Sequence, residues 1–210
     1  MAVTIQENAC AEPVEAALLA AYRGLATSLV SDNLDRMPGA VGLRPLHSGG
    51  PLLGTALTVR TRRGDNLAIH AGLALARPGD VIVVDGGGDP SQALIGEIIL
   101  THAASKGVAG FVIDGAVRDV AAIRASPLPC YARDVIHRGP YKNGPGEVNV
   151  AVSVGGLVVR PGDLVLGDED GIVAMAPDVA RAILPAIRAQ EARERIKIDG
   201  FLDAMRRRNA

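Results

Sequence analysis

Arg118 and Asp119 place a planar cation beside a carboxylate. As chain neighbours they need not bond each other, so the guanidinium can face a substrate oxygen while the carboxylate holds a metal. A hard cation such as Mg²⁺ takes one or two protein carboxylates and keeps several waters. Read locally, the pair also fits an aspartate that caps the helix after it, with the arginine in solvent. A second place for chemistry is Asp85-Gly86-Gly87-Gly88-Asp89-Pro90, followed by Gly96-Glu97-Ile98-Ile99 near a helix start. Free N–H groups and the positive end of a helix dipole suit an anion there. The loop matches neither G-x-x-x-x-G-K-[ST] nor G-x-G-x-x-G, so a small carboxylate fits better than a nucleotide. The glycines also fit a plain wide turn.

Other reactive side chains lack such a context. His47, His70, His102 and His137 have no metal-ligand spacing. His70 and His102 fall in helices, against the core or a subunit contact. Ser28 and Ser31 have no nucleophile elbow. Lys106 precedes Gly107 and reads as a helix C-terminal charge. Arg206-Arg207-Arg208 is short and follows acidic residues, as a solvated tail end does.

Ligands in α/β folds collect beyond the carboxyl ends of parallel strands, and the elements around these residues predict such ends. Helical spacing predicts helices over 12–26 and 27–37, the second stopped by Pro38-Gly39. Gly54 to Arg62 reads as a strand, Asn66 to Ala76 as a helix, and Val81 to Val84 as a fully apolar strand. Leu94 to Lys106 returns to helical period, and Val108 to Ile113 is a buried strand running into Asp114-Gly115. Strand and helix therefore alternate over 54–124, which predicts parallel strands with helical crossovers. If the strands before Asp85 and Asp114 are neighbours, both loops open on one cleft. Short strands follow at 128–133, 148–152, 156–159, 163–167 and 171–175. An amphipathic, charged helix over 177–208, weakened at Gly200, closes the chain. Arg77-Pro78-Gly79-Asp80 and Arg160-Pro161-Gly162-Asp163 repeat one turn-into-strand device.

Composition narrows the classes of function. The chain has 210 residues, of which 48% are hydrophobic, enough for a sizeable core and against disorder. Aromatics make up only 2%, which excludes a surface that stacks nucleic-acid bases. A net charge of -1 favours no polyanionic partner. No apolar run is long enough to cross a membrane, and no signal peptide is visible. Cys10 and Cys130 are lone cysteines, so a cytoplasmic protein is expected, with Cys130 a small buried hydrophobe.

Taken together, Gly96-Glu97-Ile98-Ile99 and the run Gly107-Val108-Ala109-Gly110-Phe111-Val112-Ile113-Asp114-Gly115-Ala116-Val117-Arg118-Asp119 resemble a known family. It comprises the class II pyruvate aldolases acting on 4-hydroxy-4-methyl-2-oxoglutarate and 4-carboxy-4-hydroxy-2-oxoadipate. Their fold is shared with the regulator of ribonuclease E activity A. The family's aldolase signature is an acidic residue, twenty intervening residues, then Arg-Asp. Here Glu97, residues 98–117 and Arg118-Asp119 match it. Ser31-Asp32-Asn33-Leu34-Asp35, Arg138-Gly139-Pro140-Tyr141, Gly146-Glu147-Val148-Asn149 and Gly167-Asp168-Glu169-Asp170-Gly171 fit as well, so the resemblance runs over about residues 25–195. One residue departs from the pattern. The characterised aldolases usually carry Asp where this chain has Glu97, which keeps the charge but reaches one methylene further. The regulators often lack that acid.

The resemblance implies an α/β fold of the swivelling β/β/α type, a three-layer RraA-like sandwich. It implies one domain over 1–210, with N-terminal helices at about 12–37 and a C-terminal helical arm at about 177–208. Assembly as a homotrimer or homohexamer is implied too. The implied reaction breaks a carbon–carbon bond to release pyruvate through an enolate, and the same site would decarboxylate oxaloacetate. Asp119 would hold Mg²⁺ or Mn²⁺, and Arg118 would contact the keto or enolate oxygen. The amides of Gly96, Glu97, Ile98 and Ile99 would bind the pyruvate carboxylate. Glu97 would orient a metal-linked water that moves a proton at the methyl carbon. A carboxylate of a neighbouring subunit assists in the family, with Glu191 and Glu194 as candidates here. The expected partner is a small keto-acid, with neither nucleic acid nor membrane. The alternative is a regulatory binding protein without chemistry, like the ribonuclease regulator.

Overall fold

The structure, a computed structural model, describes residues 4–36 and 39–209. In chain order the strands are β1 (Ile5–Glu7), β2 (Arg44–Pro45), β3 (Leu52–Thr61), β4 (Asp80–Ile95), β5 (Gly110–Val117), β6 (Cys130–Val135), β7 (Gly146–Val148), β8 (Val152–Val154), β9 (Leu157–Val159), β10 (Leu164–Asp168) and β11 (Gly171–Met175). The helices are α1 (Ala16–Tyr22), α2 (Thr27–Asp32), α3 (Leu67–Leu75), α4 (Glu97–Ser105), α5 (Val120–Ala125) and α6 (Pro177–Arg208). Strands β3, β4, β5 and β6 are parallel neighbours, and α3, α4 and α5 are their crossovers. This is the arrangement that the alternating pattern over 54–124 predicts.

Why these strands read as unbroken apolar runs is clear from what covers them. Ile82, Val84, Phe111 and Ile113 face the cluster under α3, α4 and α5, with Ile69, Leu73, Ile99 and Ile123. The alternate residues Val81, Val83 and Val112 face the other way, onto Val152, Val154, Val159, Val165 and Ile172. Successive side chains point to opposite faces, and here both faces are dry. The second sheet layer grows from β3 itself. Its first residues, Leu52–Thr55, pair with β10, while Thr55–Arg60 pair with β4. A third cluster packs α1, α2 and the first half of α6 against β10 and β11 through Tyr22, Val30, Leu164, Leu166, Ala180 and Ile187. The result is the expected mixed α/β sandwich of helix layer, parallel sheet and second strand layer.

The repeated turn is the same device twice. Asp80 accepts a hydrogen bond from the Arg77 N–H at 2.8 Å, and Asp163 accepts one from the Arg160 N–H at 2.8 Å. Both turns use a glycine at positive φ, 85° at Gly79 and 86° at Gly162.

Several boundaries differ from expectation. The helix expected over 12–26 begins only at Ala16, because the Val14 N–H is tied to Thr55 Oγ1 at 2.9 Å and holds that stretch extended. Helix α2 ends at Asp32; Met37 and Pro38, its expected end and stop, lie outside the described residues. Most consequential for function, the glycine-rich segment is not a free loop. Strand β4 continues through it to Ile95, with register shifts between Asp85 and Ile95 that let it bulge along β5. Leu94 and Ile95 are buried strand residues, so α4 starts at Glu97 rather than at Leu94. Likewise β5 runs past Asp114-Gly115 to Val117. At the end of the chain, α6 passes through Gly200 without a break.

Candidate functional site

Strands β4 and β5 are parallel neighbours, so the segments that follow them open at the same rim of the sheet. Gly96 leaves β4 as the N-cap residue of α4, and Arg118 and Asp119 leave β5 directly before α5. The Arg118 N–H still bonds to the Ile95 carbonyl at 3.0 Å, which locks the two strand ends together.

Asp119 does not cap its own helix. It adopts the left-handed conformation, φ 60° and ψ 43°, and makes no side-chain cap bond to α5. Its Oδ2 instead accepts the N–H of Glu97, the first residue of α4, at 3.0 Å. A left-handed residue other than glycine costs about 1–2 kcal/mol, and aspartate is among the few that tolerate it. The backbone spends that to swing the carboxylate across to the neighbouring helix N-terminus, where the dipole favours it. The simple capping explanation of Arg118-Asp119 is thereby overturned.

Gly96 is required by close approach. A Cβ at this position would collide with Asp119 Oδ2 and would lie 2.9 Å from Arg118 Cγ. The Arg118 Nε stands 3.8 Å from Asp119 Oδ2, and both side chains are partly exposed. Gly139 leaves room on the far side of the guanidinium, since a Cβ there would stand 3.1 Å from an Arg118 terminal nitrogen.

These groups border a cleft of about 80 Å³, lined also by Asn66, His70, Leu94, Ile95, Ile98, Ile99, Pro140 and Lys142. The sequence-expected residues Gly96, Ile98, Ile99, Arg118 and Asp119 are thus brought together. Glu97 contributes its backbone N–H, while its carboxylate is exposed and is not part of the lining. Glu191 and Glu194 lie elsewhere in the chain. Together with α2 residues they border a separate groove, where Glu191 accepts from Arg188 at 2.8 Å and Glu194 from Gln190 at 2.8 Å.

Asn66, His70, Pro140 and Lys142 are lining residues that the sequence reading did not assign to a site. The usable signal was topological. Strand β3 is parallel to β4, so the segment after Thr61 reaches the same rim. Asp65, fully buried, fixes that corner: it accepts the N–H groups of Leu67 at 2.9 Å, Asn143 at 2.9 Å and Gly144 at 2.7 Å. It thereby ties the loop bearing Lys142 to the start of α3. Burial, with the charges of Lys142 and His102, holds the His70 imidazole below its ordinary pKa and so neutral at pH 7.

The electrostatic character is that of an anion site with one carboxylate in it. Arg118, Lys142 and the N-terminus of α4 supply positive potential, and Asp119 is the sole acid in the lining. No group of three or more His, Cys, Asp or Glu side chains that could hold a metal occurs among the described residues. A cation here would rest on the second oxygen of Asp119 and on water, a donor set that suits Mg²⁺ or Mn²⁺ rather than a soft metal. Among the described residues no helix is long and apolar enough to cross a membrane.

Known proteins agree with this architecture. Residues 27–174 match the family described as RraA-like, Aldolase/RraA. A Halalkalibacterium halodurans protein named "Putative 4-hydroxy-4-methyl-2-oxoglutarate aldolase" is 37% identical over 186 residues, 86% of this chain and 89% of its own. Among solved structures, a Pseudomonas syringae pv. tomato protein superposes with a TM-score of 0.83 at 26% identity, covering 91% of each chain. The RNA-processing inhibitor RraA from Thermus thermophilis superposes with a TM-score of 0.66 at 33% identity, over 72% of this chain and 92% of that one. With the sandwich and the Arg118–Asp119 rim in place, the family match over most of the length makes this chain a member of the RraA-like Aldolase/RraA family.

Proposed function

We propose that the protein is a divalent-metal-dependent lyase. It would cleave 4-hydroxy-4-methyl-2-oxoglutarate or 4-carboxy-4-hydroxy-2-oxoadipate to release pyruvate and would also decarboxylate oxaloacetate. The observation that carries the reading is the Asp119–Glu97 hydrogen bond. It draws a carboxylate, a guanidinium and a helix N-terminus to one rim at the expense of a left-handed aspartate. A lyase uses such a construction, whereas a surface that only binds a protein does not require it. The relative from H. halodurans supports the same substrate class.

Mg²⁺ or Mn²⁺, bound at Asp119 and water, would supply Lewis-acid stabilisation of negative charge on the C2 oxygen. The residues of the chain do the rest. With the Glu97 N–H taken by Asp119, the amides of Gly96, Ile98 and Ile99 at the start of α4 hold the pyruvate carboxylate at the positive end of the helix. Arg118 aims its guanidinium at the C2 oxygen as enolate charge develops. The buried apolar lining of Leu94, Ile95 and Ile99 keeps water from one side of the reacting carbons and strengthens both interactions. Glu97, exposed between the lining residues Gly96 and Ile98, would hold the water that exchanges a proton with the methyl carbon. A neighbouring copy in a trimer or hexamer would add Glu191 or Glu194 to that water.

A second reading has one observation in its favour, the likeness to the Thermus RNA-processing inhibitor: a regulatory binding protein without turnover. A coupled assay for pyruvate with Mg²⁺ separates the two. Release from oxaloacetate and from either hydroxy-keto acid is expected. No pyruvate from any of the three, with the protein folded, would leave the regulator.

A further inference from the structure

We propose that Asn66, His70 and Lys142 form a second wall of the cleft that recognises an α-hydroxycarboxylate, the half of the substrate that lies across the scissile bond from the carbons that form the enolate. The proposal rests on the lyase reading and adds to it the groups that choose between substrates.

Asn66 and His70 stand four residues apart at the start of α3, joined by the His70 N–H to Asn66 carbonyl bond of 3.1 Å, so they share one face of the helix. Both line the cleft. The Asn66 amide has a defined orientation. Its Nδ2 donates to the Leu94 carbonyl at 3.0 Å, and a carbonyl can only accept, so the other end of the amide is the oxygen. That oxygen, Oδ1, is buried and has no partner among the described residues. Asn66 as a whole is only 3% exposed. His70 Nε2 is likewise buried and unpartnered. Two unsatisfied polar atoms on one helical face are unusual in a folded protein, and both border the same small cleft.

The atom types say what would satisfy them. An amide oxygen only accepts, so it calls for a donor. A carboxylate cannot serve, and a hydroxyl can. Neutral imidazole can donate from Nε2. Lys142, on the same wall, calls for an anion. Its position relative to Asn66 is set by backbone bonds: Asn66 N–H to the Tyr141 carbonyl at 3.0 Å and Tyr141 N–H to the Gly64 carbonyl at 2.8 Å. A hydroxyl on Asn66 Oδ1 with an adjacent carboxylate between His70 and Lys142 is an α-hydroxycarboxylate. Both hydroxy-keto acids of the proposed function carry one at C4. Oxaloacetate has no such hydroxyl.

The prediction is therefore differential. Asn66→Leu and Lys142→Met are compared with the unaltered protein for pyruvate release from 4-hydroxy-4-methyl-2-oxoglutarate and from oxaloacetate, both with Mg²⁺. Losing the acceptor or the cation should lower kcat/KM for the hydroxy acid on the order of tenfold or more. For Lys142→Met the loss should fall mainly in KM. Oxaloacetate turnover should fall clearly less in both variants, because oxaloacetate has no hydroxyl for Asn66 and its second carboxylate sits one carbon nearer the keto group. Lys142 is exposed, so its variant tests the wall even if Asn66→Leu fails to fold. Equal losses on both substrates, or no loss on either, would overturn the wall while leaving the lyase reading standing. Failure of the unaltered protein on both substrates would instead remove the reading beneath it.

Discussion

At the scale of the residue, the site depends on one aspartate in a rare backbone conformation and one glycine that makes room for it. Asp119 and Gly96 would each look ordinary in isolation; their meaning lies in the collision a Cβ at Gly96 would have with the Asp119 carboxylate. If Arg118 stabilises developing charge, Arg118→Ala should cost about 3 kcal/mol in kcat/KM for pyruvate release, roughly a hundredfold, with the melting temperature unchanged. An unchanged rate would show that the guanidinium faces away from the chemistry. Glu97 gives a finer test, since its carboxylate is exposed and outside the cleft lining while its N–H is tied to Asp119. Glu97→Asp should keep or raise the rate and Glu97→Ala should lower it; equal rates in all three proteins would make it a bystander. The Arg-Asp pair and the acid before it could be singled out in the sequence because they match the signature of the family that the sequence resembles. Asn66, His70 and Lys142 were not, because they come from separate segments that only the parallel pairing of β3 with β4 brings to the same rim.

At the scale of the element, the sheet positions the site by ending two parallel strands together and letting a helix start at each end. The apolar runs Val81–Val84 and Val108–Ile113 predicted those strands, since a strand dry on both faces has little choice of residue. What they could not predict was how far each continues. The glycine-rich segment reads as a turn by composition, yet it stays paired through bulges, and α4 is delayed until Glu97. That delay matters, because it puts a free helix N-terminus, rather than its second turn, opposite Asp119. Stability and function should separate here. Asp119→Gly keeps the left-handed backbone at less strain but loses the carboxylate. Its unfolding free energy should stay within about 1 kcal/mol of the unaltered protein, while pyruvate release is lost. A large loss of stability would mean that the Asp119–Glu97 bond serves folding more than chemistry.

At the scale of the whole molecule, α6 divides into two halves with different surroundings. Its first half buries Ala180 and Ile187 against the α1–α2 layer. Its second half exposes Ile196, Phe201, Leu202 and Met205, more apolar surface than a free helix needs. This fits an arm that packs on a neighbouring copy and carries Glu191 and Glu194 toward that copy's cleft, as the proposed function would need. Ending the chain after Gln190 should lower the mass measured by light scattering from that of a trimer or hexamer, with the core's melting transition retained. An unchanged mass would place the contact elsewhere. The amphipathic pattern over 177–208 announced the helix but not its division, because burial by the first half depends on where β10 and β11 lie.

The central claim is that Asp119 serves a cation-dependent release of pyruvate. Its most direct test is pyruvate formation from oxaloacetate by the unaltered protein and by Asp119→Ala, each stripped with a chelator and then titrated with Mg²⁺ or Mn²⁺. A saturable, metal-restored rate in the unaltered protein that is absent from Asp119→Ala at every metal concentration is the expected result. Turnover that survives the chelator, or a variant that responds to metal as the unaltered protein does, would contradict it.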